Sequence, residues 1–199
     1  MVFSLSSSIS EIEIEYNPDY DFSTSVYNSF IDEKYREEKN DSKYEGKTEN
    51  EIKKALKNKY YAERTFNILR SRDGFQNFDR ENAEVGNARV EAMDLYKDGG
   101  YIFAVKVGNT SGKLCYAIDQ SLTSLKLHKH GKLTDIPQIT TVVLWFILER
   151  REHIEDENGI PDLNKLEMLM LKNRIDQWKK EVRLLGYKPL IYINYRTDE

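Results

Sequence analysis

The sequence has too few cysteines for a disulfide-linked protein and no apolar run long enough for a membrane-spanning helix. Its single cysteine, Cys115, excludes an intramolecular disulfide and a cysteine-based zinc site. The longest apolar run, Val142 to Leu148, is seven residues and far too short to span a bilayer. The first residues, MVFSLSSSISEIEIE, lack the basic stretch that opens a signal peptide. These absences predict a soluble, cytoplasmic chain with no membrane contact, and its 199 residues are enough to bury a core.

Neither sign of charge dominates the chain, which excludes a uniformly basic, histone-like protein. Thirty Lys and Arg against 34 Asp and Glu give a net charge of −4. Residues 1–46 hold eleven acids and four bases, so this segment has a charge of −7 and the remainder +3. Within 97–133, six lysines against Asp98 and Asp119 give +4. The acidic segment predicts either a solvated surface or a segment that covers a basic face or contacts a basic partner.

The chain divides near residue 47 into an acidic, aromatic N-terminal arm (1–47) and an α/β core domain (48–199). Thr48-x-x-Glu51 is a capping-box pattern that predicts the start of a long helix, which ends at Asp73-Gly74. The segment Pro161 to Leu185 predicts another helix, with Gly186 as its stop signal.

Strand-like runs alternate with these helices. Residues 88–95 and 101–107 flank the turn signal Lys97-Asp98-Gly99-Gly100, so we expect them to pair antiparallel. A helix is predicted from about Ser111 to Lys126. Residues 139–148, ITTVVLWFIL, are apolar except for two threonines and are rich in β-branched residues, which predicts a central strand buried on both faces. With KPLIYINY as the last strand, the core reads as a mixed central sheet with flanking helices.

Three polar residues lie where two of these strands and a helix would meet. Asp94 ends the first strand, Lys106 ends the second, and Gln120 lies on the following helix. This order resembles the PD-(D/E)XK, or restriction-endonuclease-like, fold, in which an Asp and a (Asp/Glu)-x-Lys meet where two strands diverge. The resemblance implies a nuclease site: carboxylates hold Mg²⁺ through oxygen, and the lysine orients or deprotonates the attacking water.

The pattern is incomplete at its second acid. Ala104 stands two residues before Lys106, where the nucleases have Asp or Glu. Glu91 is the nearest substitute, but in a regular strand it faces away from Asp94, three residues later. Three readings remain open: a structural hairpin without a site, a nucleic-acid-binding site without full catalysis, and an active Mg²⁺-dependent nuclease with Asp94 as the metal ligand.

A second resemblance covers most of residues 59–195. The chain is similar to the C-terminal module of a bacterial family known only as sporadically distributed proteins, found on mobile elements and in defence-rich regions, whose members are usually much longer. Its activity is unsettled, so the resemblance implies mainly fold and context. The family's His before Val-Lys is Ala104 here, and its following Arg is Val107. The matching segments are Glu63 to Asn67, Phe78-Asp79-Arg80, Val90 to Leu95, Phe103 to Val107 and Ser111 to Gln120.

The basic stretch supplies the candidate contacts to nucleic acid. A helix that begins after Gly108 would point main-chain N–H groups at a phosphate beside Lys106 and Lys113. The candidate binding residues are Lys106, Asn109, Ser111, Lys113, Lys126, Lys129 and Lys132.

These observations favour a nucleic-acid-binding module on a degenerate PD-(D/E)XK-like scaffold that acts in phage–host conflict or on a mobile element. The alternative is a protein-interaction factor, an inhibitor or assembly subunit, whose acidic arm contacts a protein partner. A second alternative is an active nuclease. Partners would then be DNA, RNA or a protein, and no cofactor is expected unless the chain is catalytic, in which case it is Mg²⁺.

Overall fold

The computed structural model describes residues 12–79, 82–85, 88–91, 93–131 and 138–198, with only the backbone for 82–85 and 88–91. In chain order the elements are β1 (Glu13–Glu15), α1 (Thr24–Glu38), α2 (Glu49–Lys59), α3 (Ala62–Arg72), β2 (Gln76–Asn77), β3 (Asn82–Val85), β4 (Ala88–Glu91), β5 (Leu95–Lys97), β6 (Tyr101–Gly108), α4 (Ser111–Lys129), β7 (Thr141–Glu149), α5 (Leu169–Leu184) and β8 (Lys188–Arg196). The predicted α/β class with a mixed sheet is confirmed.

Six of the strands form one sheet in the order β1-β8-β7-β6-β5-β2. The four strands β1, β8, β7 and β6 are mutually parallel, whereas β5 and β2 are antiparallel to their neighbours. Parallel neighbours require a crossover connection, which α4 supplies between β6 and β7 and α5 between β7 and β8. Strands β3 and β4 pair with each other in a separate two-stranded sheet.

The centre of the sheet is β7, as predicted from its apolar run. Every residue from Thr141 to Leu148 is buried. Because side chains alternate along a strand, Leu144 and its even-numbered neighbours pack in the core that contains α4 and α5, whereas Trp145 and the odd-numbered ones pack in the core that contains α1, α2 and α3. The strand is buried by helices on both faces.

The predicted pairing of 88–95 with 101–107 holds only at the turn. Leu95–Lys97 pairs antiparallel with Tyr101–Phe103, but Ala88–Glu91 pairs with β3 instead. The chain leaves the sheet at Asp94, whose N–H still donates to Phe103 O while its side chain turns onto the N–H of Val105. The carboxylate of Asp94 therefore accepts the main-chain hydrogen bond that a longer β5 would have accepted from β6.

The predicted helix 48–73 is two helices. The capping box at its start is confirmed, since Thr48 N donates to Glu51 Oε2 at 2.8 Å and Glu51 N to Thr48 Oγ1 at 3.4 Å. The break comes at Tyr60, whose carbonyl accepts the hydroxyls of Tyr27 and Thr65, each at 3.0 Å. The hydroxyl of Tyr27 from α1 and that of Thr65 from the next helix thus replace the helical hydrogen bond that the carbonyl would otherwise accept.

The predicted last helix begins later than Pro161. Pro161 forms an isolated bridge with Glu155, and Asp162 caps a short 3₁₀ turn. The regular helix α5 starts only at Leu169.

The described part of the acidic segment 1–47 packs onto the core. β1 extends the sheet beside β8, and Phe22 N donates to Tyr195 O at 2.8 Å. On α1, Phe30 and Ile31 are buried in the same aromatic core as Trp145. Residues 1–11 lie outside the described ranges.

A buried tyrosine and a half-buried one on β8 predict loss of stability in alkali. Burial raises the pKa of Tyr195 to about 12 and raises the pKa of Tyr192. An unfolded tyrosine ionises near pH 10, so between about pH 10 and about pH 12 the folded chain holds a proton that the unfolded chain has released. We expect the free energy of unfolding to be unaffected by these groups below pH 10 and to fall above it.

The measurement is the urea midpoint at about pH 9 and about pH 11. Tyr195→Phe is expected to shrink the fall between the two, whereas Tyr116→Phe, at an exposed tyrosine, is expected to leave it unchanged. An equal fall in the wild type and in Tyr195→Phe contradicts the assignment to Tyr195.

Candidate functional site

The candidate site lies where β5 and β6 diverge. β5 covers only Tyr101–Phe103 of its neighbour, and β6 continues to Gly108. On the uncovered edge two carboxylates accept main-chain hydrogen bonds. Val105 N donates to Asp94 Oδ2 at 2.6 Å, and Val107 N donates to Glu63 Oε2 at 3.2 Å. Two acids that are distant in the sequence thus accept the N–H groups that a neighbouring strand would otherwise bind.

Lys106 joins this edge to helices on both faces of the sheet. Its Nζ lies 2.9 Å from Glu63 Oε1 on α3, and both side chains are largely buried. The same Nζ lies 5.1 Å from the ring centroid of Tyr116 on α4. The charge of Lys106 is therefore balanced within the protein before any ligand arrives.

The predicted catalytic residues are brought together in part. Asp94 and Lys106 both lie at the diverging edge, but the hydrogen bonds there join Asp94 to Val105 N and Lys106 to Glu63. Gln120 lines a small cavity of about 10 Å³ together with Ala104 and Met93. Ala104 is buried in the core on the α4 side, so its position offers no acid. The side chain of Glu91 lies outside the described part of the structure; its backbone belongs to β4 and pairs with Asn82.

The residue that sequence reasoning missed is Glu63. It lies in the first turn of α3, more than forty residues before Lys106. The only sequence signal was its place at the head of the Glu63 to Asn67 segment that resembles the mobile-element family. Asn67, one helical turn later on the same face, is buried, and neither its Oδ1 nor its Nδ2 has a hydrogen-bond partner among the described residues.

The two carboxylates fit Mg²⁺ only partly. The ion accepts one or two protein carboxylates together with several waters. Asp94 and Glu63 would be those ligands, but they bind amides two residues apart on β6, a separation of about 7 Å. Glu63 is also engaged by Lys106. Among the described residues there is no group of three or more His, Cys, Asp and Glu that could hold a metal.

The parallel strands end together, and we call this end of the sheet the carboxyl edge: Gly108, Glu149, Arg196 and the residues that follow each. Gly108 is paired with Leu148, and Glu149 with Arg196. α4 begins here, with the Thr110 hydroxyl accepting from Lys113 N at 3.4 Å. A Cβ on Gly108 would lie 2.9 Å from Lys113 Cδ, so glycine lets this lysine stem lie against the strand end.

The candidate nucleic-acid contacts separate into two groups. Lys106, Asn109, Ser111 and Lys113 lie at the amino end of α4. Lys126 and Lys129 lie at its other end, about 20 Å away by the helical rise.

Within the second group, Lys126 pairs with Glu181 at 2.7 Å, and Lys129 Nζ lies 5.9 Å from the Tyr187 ring centroid. Lys132 lies outside the described residues. A single nucleic-acid surface that used both groups of lysines would have to run the whole length of α4.

None of the described helices combines the length and the apolar character needed to cross a bilayer. Comparison with known proteins adds no relative: no protein-family model, no curated protein and no solved structure matches this chain.

Proposed function

We propose that this chain binds nucleic acid through the carboxyl edge, on a restriction-endonuclease-like scaffold that cleaves feebly or not at all. The scaffold is supported by Asp94 and Lys106, which lie where β5 and β6 diverge. The proposed setting, phage–host conflict or a mobile element, rests on the resemblance to the sporadically distributed family.

The observation that carries the proposal is the charge balance at the carboxyl edge. Two of its nearby acids are neutralised internally, Glu63 by Lys106 and Glu149 by Arg196, whereas Asp198 is exposed. Lys113, at the start of α4, is exposed there. A phosphate backbone approaching this edge would meet cations and the first N–H groups of α4, which lack helical partners. Such contacts bind phosphates without reading bases.

Weak cleavage follows from the same contacts. A metal at Glu63 would have to displace Lys106, and a metal at Asp94 would compete with the N–H of Val105 for the carboxylate. Both displacements leave a buried or half-buried group without its partner, which is unfavourable. The main role of Asp94 and Glu63 is therefore to accept the N–H groups on the uncovered edge of β6.

The test is binding of fluorescent duplex and single-stranded DNA at two salt concentrations. Replacing Lys106 and Lys113 together by Ala is expected to weaken binding, because it removes the exposed Lys113 charge and leaves Glu63 without its cation near the phosphate, and to lower the log–log salt slope by about one for the Lys113 contact. Lys54→Ala, which removes an exposed lysine from α2, is the control and is expected to change neither quantity. Equal binding by the wild type and the double variant would place the site on another face.

A protein-interaction factor is the outcome that would replace this proposal. No detectable binding to either DNA at low salt would favour it, because phosphate contacts are strongest there. The acidic segment 1–47 is then the surface to test against basic protein partners.

An active nuclease is the second candidate, and Glu63 is the observation that favours it. Glu63 and Asp94 bind the N–H groups of Val107 and Val105, on either side of Lys106. Two carboxylates and a lysine thus lie along one strand edge, although Ala104 stands where the motif has its second acid. The test is DNA cleavage with Mg²⁺ or Mn²⁺. Cleavage abolished by Glu63→Gln would establish this candidate in place of the first.

A further inference from the structure

A cleft opens at the carboxyl edge beyond β7 and β8. These strands end side by side at the pair Glu149 and Arg196. The residues around and after this pair enclose about 700 Å³. The cleft is lined by Glu149, Arg150, Arg151, Arg196, Thr197 and Asp198.

One wall of the cleft is held in place by the fold. Arg196 Nη1 donates to Glu149 Oε1 at 2.7 Å, and its guanidinium lies 5.4 Å from the ring centroid of Tyr27. Thr197 O accepts the N–H of Thr24 at 2.9 Å, which attaches the segment after β8 to the start of α1. The charges of Arg196 and Glu149 cancel, so this pair supplies shape and hydrogen bonds rather than net charge.

The segment that follows β7 adds two arginines to the cleft that have no ion-pair partner among the described residues. Arg150 is half-buried, and its Nε is fully buried without a hydrogen-bond acceptor among the described residues. Arg151 is exposed. Neither arginine forms an ion pair within the described ranges, and the remaining acid of the cleft is the exposed Asp198. Arg150 and Arg151 therefore lack a counter-charge among the described residues, which an anionic ligand in the cleft would supply.

We propose that this cleft binds a phosphate group carrying two negative charges. Planar guanidinium groups donate paired hydrogen bonds that match phosphate oxygens, and Arg150 and Arg151, adjacent in the chain, both line the cleft. The ligand is a phosphate monoester, either at the end of a nucleic-acid strand or on a small molecule. Because small molecules also carry this group, the proposal does not depend on the nucleic-acid binding proposed above.

The cleft is distinct from the site at the edge of β6. β7 separates the two, and neighbouring strands are about 4.8 Å apart, so the cleft lies about 5–10 Å from Gly108 along the same edge. A bound strand end could therefore place its terminal phosphate in the cleft while the rest of the strand passes Lys113.

The first experiment measures binding of inorganic phosphate by calorimetry, with chloride at matched ionic strength as the reference. We expect the wild type to bind phosphate and Arg151→Gln, at an exposed side chain, to bind it about tenfold more weakly. Arg150→Gln combined with Arg151→Gln is expected to abolish measurable binding.

The matched control is Arg36→Gln. Arg36 is exposed on α1, twelve residues or about 18 Å along the helix from Thr24, which contacts the cleft segment. We expect its phosphate affinity to equal that of the wild type. Equal affinity in the wild type, Arg151→Gln and the double variant would overturn the proposal, and so would a wild type that binds no phosphate.

The second experiment separates the two sources of the phosphate. We compare adenosine monophosphate with an oligonucleotide that carries either a 5′-phosphate or a 5′-hydroxyl. Tighter binding of the 5′-phosphorylated strand, lost in Arg151→Gln, supports a strand end as the ligand. Binding of the monophosphate but of neither strand supports a small molecule and refutes only the nucleic-acid function. Binding of both strands equally, with no effect of Arg151→Gln and no binding of the monophosphate, refutes the cleft and leaves the nucleic-acid function standing.

Discussion

Leu144→Asp is expected to prevent folding. Leu144 is fully buried in β7 and is paired with Ala104 on one side and Ile191 on the other. Losing the packing of a buried leucine costs about 2–5 kcal/mol, and burying a carboxyl group in its place adds several more. The sum approaches the whole stability of a typical domain, about 5–15 kcal/mol. Circular dichroism and a thermal melt measure the result.

The control for this substitution is Leu184→Asp. It makes the same chemical change at a leucine that is 86% exposed at the end of α5. We expect this variant to melt close to the wild-type temperature. A cooperative melt of Leu144→Asp at that same temperature would contradict the burial of β7 on both faces.

Asp94→Ala is expected to lower stability by about 2 kcal/mol while leaving nucleic-acid affinity unchanged or slightly higher. Its carboxylate accepts the N–H of Val105 at 2.6 Å in a buried position, and alanine would leave that amide without this acceptor. Affinity should not fall, because the substitution removes a negative charge near the proposed phosphate contacts. Urea denaturation and DNA binding measure the two effects.

The matched variant is Asp94→Asn, which keeps an oxygen acceptor of the same size and removes the charge. We expect it to recover most of the stability lost in Asp94→Ala. If Asp94 instead serves catalysis, the wild type will cleave DNA with Mg²⁺ and Asp94→Asn will abolish cleavage without a loss of stability. That outcome would replace the binding module with an active nuclease.

The sequence by itself determined the elements whose signals are local. The apolar run 142–148 favours burial on both faces, and it lies in the central strand β7. Lys97-Asp98-Gly99-Gly100 places positive φ angles at both glycines, which turn β5 into β6. Thr48 and Glu51 lie three residues apart and form the capping box without help from the rest of the chain.

Only the tertiary structure decided which distant residues meet. Glu63 reaches Val107 and Lys106 because α3 packs against β6 across more than forty residues of chain, and no periodicity encodes that contact. The helix break at Tyr60 depends on the hydroxyl of Tyr27 from α1. The arginine-lined cleft exists because two parallel strands end in register, which joins residues 149–151 to residues 196–198. Local patterns determined most helices and strands, whereas packing between these elements determined where the carboxylates, the cations and the cleft lie.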